Sequence, residues 1–271
     1  MSPSDCEYSL QGRVFHGFVP LLMGTRLDVL ICGASCESCG AAWDKICAEG
    51  RKLESVMDRF SPESEVSGIN ASGVARMSED MAEIIALCEH YRRSTGKLFD
   101  IGRGTVEWDS ALNNVDSVPG GSGRMISIGN GNLDFGGFGK GLLLKRCSMI
   151  LKEQGISTAY VDFGGSSILA LGHHPYGDCW RVGVTDPYTG SVVRRLELVD
   201  MAMSTSGNQP GYEGHIIDPR SGVSVTGRKI VTVLSPDPLT AEVVSTASMI
   251  AAEDELRFIR ENNDITAIFC S

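Results

Sequence analysis

Two rhythms of apolar residues run along this chain. Alternation, or a short unbroken apolar run, marks strands; recurrence at three and four residues marks helices. Arg13–Phe18 and Thr25–Ile31 follow the first rhythm on either side of Pro20 and predict two strands. From about Ser38 to Met57 the second rhythm takes over, with Ala42, Ile46, Leu53, Val56 and Met57 on one side of a helix. Asp58-Arg59-Phe60-Ser61-Pro62 ends it, and Ser64-Glu65-Val66-Ser67 opens a new segment. Ser78 is placed to cap a further helix with the stripe Met81, Ile84, Ile85, Cys88 and Tyr91, which stops at Ser94-Thr95-Gly96. Residues 111–124 are a loop by composition. Trp180–Val184, Val192–Leu198, Lys229–Leu234 and Ile265–Phe269 predict strands, and Met201–Gly207 runs into Thr205-Ser206-Gly207. Leu239–Glu255 predicts a helix with Val243, Ala247, Ile250 and Ala251 inward. The polar residues 1–12 predict a flexible N-terminal tail ahead of a folded domain over 13–271. Helices and strands mix without strict βαβ alternation, which indicates an α+β fold.

The most informative stretch is Leu133–Gly172. A strand ends at Asp134, a glycine turn follows (Gly136, Gly137, Gly139, Gly141), and a helix carries Leu143, Leu144, Cys147, Ile150 and Leu151. Gly155 closes the helix, and the strand Ala159–Phe163 runs into Gly164-Gly165. Glycines between a strand and a helix admit a ligand to the backbone, and a helix N-terminus offers free N–H groups to a phosphate. A phosphate-bearing cofactor fits this turn, as does a tight βα turn with no ligand. A P-loop is excluded, because Asp134 and Gly141 stand where it needs a glycine and a Ser or Thr. Leu143 stands where a dinucleotide fingerprint needs its third glycine.

Composition narrows the function classes. The 271 residues are 42% hydrophobic and 21% charged, ordinary for a globular protein. A net charge of −10 argues against nucleic acid or an anionic membrane as the main partner. The apolar run Phe18–Met23 is too short to span a bilayer, and no signal-like segment precedes it. Nine cysteines, several in apolar runs, suit reduced thiols and a cytoplasmic location better than a disulfide framework.

Four groups of residues are chemically suggestive. Cys32, Cys36 and Cys39 have a spacing that can hold three irons of a [4Fe–4S] cluster; against this, Ser38 stands where radical enzymes place an aromatic. His173-His174 reads as a polar loop before Pro175. His215 lies three residues before Asp218 in a Gly- and Pro-bounded loop, where an imidazole can act as acid or base near neutral pH. Glu242 and Thr246 are four apart on a predicted helix. A carboxylate beside a hydroxyl suits Mg²⁺, and equally a first-turn Glu with a Thr bonded back to the helix.

Taken in order, several pieces resemble one family. They are Met23-Gly24-Thr25; Asp58-Arg59-Phe60 with Ser64-Glu65 and Asn70; Ser94-Thr95-Gly96 with Phe99-Asp100; Leu133 to Gly141; Phe163-Gly164-Gly165; Thr205-Ser206-Gly207; His215 to Gly222; and Ala241-Glu242 through Thr246. The chain is similar in these to the FAD:protein FMN transferases, the ApbE-type flavin transferases. The resemblance implies a two-lobed fold with mixed or antiparallel sheets and flanking helices, with FAD in the cleft between lobes. It implies Mg²⁺-dependent cleavage of FAD, attachment of FMN to a Thr or Ser of a target flavoprotein, and release of AMP. Under it, Met23, Phe60, Trp108, Asp109, Ser110, Gly141, Leu142, Thr205, Ser206, His215 and Ile216 line the FAD. Gly139 (by its carbonyl), Glu242 and Thr246 hold the metal, and His215 assists the transfer. The chain departs from the family pattern in having Glu242 for Asp, Gly139 for Ala, Phe60 for Tyr, Lys145 for an acidic residue and Ser166 for Asp. Two other readings use the same residues: a Mg²⁺-dependent FAD pyrophosphatase giving FMN and AMP, and an FAD-binding protein without turnover.

Overall fold

The structure is a computed structural model that describes residues 5–103 and 124–271. Trp108, Asp109, Ser110 and nearly all of the predicted 111–124 loop lie outside the described residues. In chain order the strands are β1 (Asp5–Ser9), β2 (Val14–Leu22), β3 (Thr25–Cys32), β4 (Val74–Arg76), β5 (Gly102–Arg103), β6 (Met125–Ser127), β7 (Asn132–Leu133), β8 (Ala159–Phe163), β9 (Ser167–Leu171), β10 (Trp180–Thr185), β11 (Val192–Leu198), β12 (Met201–Gly207), β13 (Ile230–Ser235) and β14 (Ala267–Cys270). The helices are α1 (Cys36–Met57), α2 (Glu65–Ser72), α3 (Glu79–Ser94), α4 (Gly139–Glu153), α5 (Pro238–Ser248) and α6 (Glu253–Asn262).

Among the described residues, an 8-stranded sheet in the order β1-β2-β3-β8-β9-β12-β13-β14 is the frame. Every neighbouring pair in it is antiparallel. Successive strand side chains point to opposite faces, and each face has its own core. On one face Leu27, Val29, Ile31, Val161, Phe163, Leu169, Val231 and Val233 pack with buried residues of α1, α4 and α5. On the other, Ile168, Ala170, Met203 and Leu234 meet Trp180, Val182, Val184, Leu196 and Leu198 of the β10–β11 hairpin. Gly17 lets Trp43 of α1 lie flat on the sheet, since a Cβ there would fall 2.8 Å from the indole. The α+β expectation holds.

The N-terminal segment differs from expectation. Asp5–Ser9 pairs as β1 along Val14–Phe18. Its side chains are mostly exposed, so an outer strand held by backbone hydrogen bonds carries no apolar stripe to read. The predicted helix 239–255 is two helices. Lys229 Nζ donates to the carbonyls of Ser248 and Met249 at 2.9 and 3.0 Å and ends α5 there. The chain then restarts as α6 at Glu253. The strand expected before the glycine turn is only β7, paired with β5 outside the large sheet.

Candidate active site

The N-terminal end of α4 is where the suggestive residues meet. The turn 135–138 enters α4 with no side chain capping it, and α5 lies across the same end. At Gly141 a Cβ would sit 2.5 Å from Glu242 Cβ, and at Gly137 2.8 Å from Thr246 Oγ1. The glycines of this turn therefore admit α5. Gly139 faces Met23 and Met57, with Met23 Sδ 3.4 Å from where a Cβ would be. Met23 itself has a positive φ of 47°, and its N–H donates to Glu54 Oε1 at 2.7 Å.

Glu242 is the buried charge of this cluster, its side chain 4% exposed. Burying a carboxylate is costly unless it is paired and hydrogen-bonded, and here both conditions are met. Lys140 Nζ pairs with Oε1. Ser167 Oγ and Ser204 Oγ donate to Oε2 at 2.6 and 2.9 Å. A chain of hydroxyls continues from Ser204 to Ser245 (3.0 Å), Ser206 (2.8 Å) and Thr246 (3.4 Å). Thr246 Oγ1 also donates to the Glu242 carbonyl at 3.2 Å. Strand alternation separates Thr205 from this group. Ser204 and Ser206 face the helices, whereas Thr205 Oγ1 lies 3.0 Å from Thr232 Oγ1 on the hairpin side. Leu142 turns its side chain into the main core.

The side-chain donors fit a hard cation: a carboxylate and hydroxyls, all oxygen. Among the described residues no three His, Cys, Asp or Glu side chains gather as a metal cluster. One carboxylate with neutral oxygens suits an ion that brings phosphate oxygens of its own, as Mg²⁺ commonly does.

His215 sits on the loop between β12 and β13. Asn208, fully buried, shapes that loop by donating to the carbonyls of Val225 and Gly227 at 3.0 Å each. Its Oδ1 accepts from Gly214 N at 3.1 Å. Ile216 is buried and accepts from Val225 N at 2.8 Å. The Tyr212 ring stacks on His215, centroids 4.4 Å apart. His215 Nδ1 is buried and has no partner among the described residues. Burial is the main cause that pushes the imidazole below the usual histidine range, with Lys140 and Arg103 acting in the same direction. The Tyr212 backbone and Asp134 act the other way, and an imidazole held in its neutral form can accept a proton.

Arg103 ties this loop to the glycine turn. Its Nη2 lies 2.5 Å from Asp134 Oδ2 and donates to the His215 carbonyl at 3.4 Å. Asp134 Oδ1 accepts from Gly136 N at 3.0 Å and pairs with Arg59 Nε at 3.3 Å. Arg59 in turn lies over the exposed Phe60 ring, 4.2 Å from its centroid. Two guanidiniums sharing one carboxylate leave positive charge over. They border a cleft of about 400 Å³ together with Ser67, Asn70 and Asn132.

The structure agrees with the sequence argument against an iron–sulfur cluster. Cys39 is buried in the main core, its thiol pushed up to about 11 chiefly by burial. Cys32 packs into the other core and Cys36 is exposed. Thiols pointing three ways cannot converge on a cluster. His173 Nδ1 lies 2.6 Å from the Asp178 carbonyl, and His174 meets Trp180 edge-on at 4.9 Å, so this pair shapes a loop.

A sequence profile of the ApbE family matches residues 23–269. The chain belongs to the ApbE family. A Rhodobacter capsulatus protein named FAD:protein FMN transferase is 32% identical over 144 residues, covering 50% of this chain and 27% of that protein. A Vibrio cholerae protein of the same name is 32% identical over 128 residues, covering 44% and 38%. The chain thus aligns with less than half the length of these curated relatives. Among solved structures, the flavin transferase ApbE from Vibrio cholerae superposes with a TM-score of 0.72 at 20% identity, covering 99% of this chain and 98% of that one. The Pseudomonas stutzeri flavinyl transferase ApbE, apo form, gives 0.71 at 22% identity, covering 100% and 90%. At these identities the structures establish the shared α+β fold.

Lys140, Ser167, Ser204, Arg103 and Asn208 also belong to the site and do not stand out in the sequence as parts of it. Two signals were available. Lys140 is the one cation in a glycine-rich turn, and Ser204-Thr205-Ser206 is a hydroxyl run in a segment otherwise suited to a buried strand.

Proposed function

We propose that this chain is an FAD:protein FMN transferase. The observation that carries the reading is the joining of two groups at one glycine turn: Glu242 and Thr246 packed on it from α5, and His215 tied to it through Arg103 and Asp134. Family membership and the names of the curated relatives support it. FAD would lie along Met23, Phe60, Gly141, Ser206, His215 and Ile216, in a cleft between two lobes. Leu142 and Thr205 would contribute backbone, because their side chains face the two cores.

Mg²⁺ is proposed at Glu242, Thr246 and the Gly139 carbonyl, where it would supply charge neutralisation at the phosphoanhydride. The chain's own residues do the rest. The hydroxyl oxygen of an acceptor Thr or Ser on a target flavoprotein attacks the FMN phosphorus. The anhydride P–O bond breaks, and AMP leaves with the electron pair. The His215 imidazole takes the acceptor proton. Arg59 and Arg103 supply fixed positive charge beside the reacting phosphates. No covalent intermediate on the protein is required. Among the described residues no helix is long and apolar enough to cross a membrane; the cytoplasmic location is a proposal that rests on the nine free cysteines.

The test is incubation with FAD, with and without Mg²⁺ and with an acceptor peptide, resolving products by chromatography. Mg²⁺-dependent AMP with flavin on the peptide supports the transferase. AMP with free FMN in every tube identifies a pyrophosphatase, and intact FAD throughout identifies a binding protein; either overturns the proposal.

A further inference from the structure

The Glu242 carboxylate already has a cation. Lys140 Nζ pairs with Oε1, and both hydroxyls of Ser167 and Ser204 point at Oε2. These three contacts engage both carboxylate oxygens. The Glu242 Cβ lies against Gly141, where even one added carbon would come within 2.5 Å. Charge is balanced within the pair, and among the described residues no three His, Cys, Asp or Glu side chains gather as a metal cluster there. A divalent ion arriving with Lys140 still in place would set like charges a few ångströms apart in a largely buried site, which is strongly unfavourable.

We propose that Lys140 is the resident cation of Glu242 and that a divalent metal binds only by displacing it. The inference rests on the reading of Glu242 as a metal-binding carboxylate. The structure gives Lys140 the means to leave. Its side chain is 22% exposed against 4% for Glu242, and lysine carries a compact charge on a flexible stem, without the bidentate grip of arginine. Displacement leaves an ammonium without its partner at the α4 end. A phosphate-bearing ligand would supply a new one. The exchange therefore couples the two ligands: the metal alone binds weakly, and a diphosphate strengthens it. Lys140 is thus a positioning residue that sets when the site takes up metal.

The test is direct binding of Mn²⁺, without turnover, followed by the electron paramagnetic resonance signal of free Mn²⁺ and by calorimetry. The protein is compared with Lys140→Met, Lys140→Arg and Glu242→Gln. Removing the competing charge should tighten Mn²⁺ binding in Lys140→Met by about tenfold or more. Lys140→Arg should bind no more tightly than the parent, and Glu242→Gln should lose the site. Mn²⁺ should also raise the melting temperature of Lys140→Met more than that of the parent, by mass action. Should Lys140→Met fail to fold, Lys140→Gln, which keeps a polar neutral group beside Glu242, takes its place. Unchanged or weaker Mn²⁺ binding in the neutral variant, with Glu242→Gln still abolishing it, overturns the exchange and leaves the metal reading standing. Retention of parental binding by Glu242→Gln overturns both.

Discussion

Gly141 has no room for a side chain. A Cβ there meets Glu242 Cβ at 2.5 Å and the Pro238 carbonyl at 3.0 Å, so Gly141→Ala must push α5 off α4. The expected cost is about 1–3 kcal/mol of stability, read as a lower urea midpoint. Metal binding, proposed at Glu242, should weaken with it. His215 makes a second prediction. Its pKa is depressed by burial, so the unfolded chain binds more protons than the folded one between the folded value and about 6.5. Stability from this group is therefore complete above about 6.5 and is lost as pH falls from there through the folded value. His215→Gln should flatten that part of the stability–pH curve. As the proposed base, His215 also sets the acid limb of the rate profile below about 6.5, and His215→Gln should lower turnover by roughly a hundredfold to ten-thousandfold with FAD affinity little changed. Chromatographic AMP release and fluorescence titration with FAD check the two halves. At this scale the sequence was partly legible. His215, Glu242 and Thr246 stood out by spacing and resemblance. Lys140 did not stand out as a ligand of Glu242, because the pair is 102 residues apart and only the fold brings it together.

Helix α5 is the element on which the site depends, since it carries both Glu242 and Thr246. Asp237 starts it, accepting from Leu239 N at 2.8 Å and Thr240 N at 3.4 Å, with Pro238 in the first turn. Lys145 pairs with Asp237 from α4 and so links the two helices. Asp237→Ala should remove cap and link together and cost about 0.5–2 kcal/mol. By differential scanning calorimetry that is a fall of roughly 2–4 °C per kcal/mol. Lys145→Met, which breaks only a half-exposed pair, should cost less than about 1 kcal/mol. The beginning of α5 was readable from its sequence to within a residue or two. Its end was not: Ile250 and Ala251 continue the apolar stripe, and only Lys229, reaching over from the start of β13, shows where the helix stops. The edge strand β1 was hidden for the opposite reason, being polar on both faces and paired through its backbone.

At the scale of the whole molecule, one large sheet separates two cores, and the proposed chemistry sits where the helical face meets the glycine turn. All nine cysteines are free, and several are buried among apolar side chains. The melting temperature should therefore be the same with and without a thiol reductant, and iron chelators should leave it unchanged; a reductant-dependent fall would mean a stabilising disulfide that this fold does not contain. The α+β class followed from the two apolar rhythms, since strand and helix stripes alternate irregularly along the chain. The assignment of strands to a single antiparallel sheet was not legible, because pairings such as β3 with β8 join segments more than a hundred residues apart. The proposed transferase moves FMN from FAD to an acceptor hydroxyl at this one site. Its most direct test is to incubate the protein with FAD, Mg²⁺ and an acceptor flavoprotein, denature the mixture, and look for flavin fluorescence on the acceptor band in a gel while measuring AMP. The expected result is a fluorescent acceptor with AMP in equal amount, both abolished by Glu242→Gln. A dark acceptor with intact FAD, or labelling that survives Glu242→Gln undiminished, would contradict it.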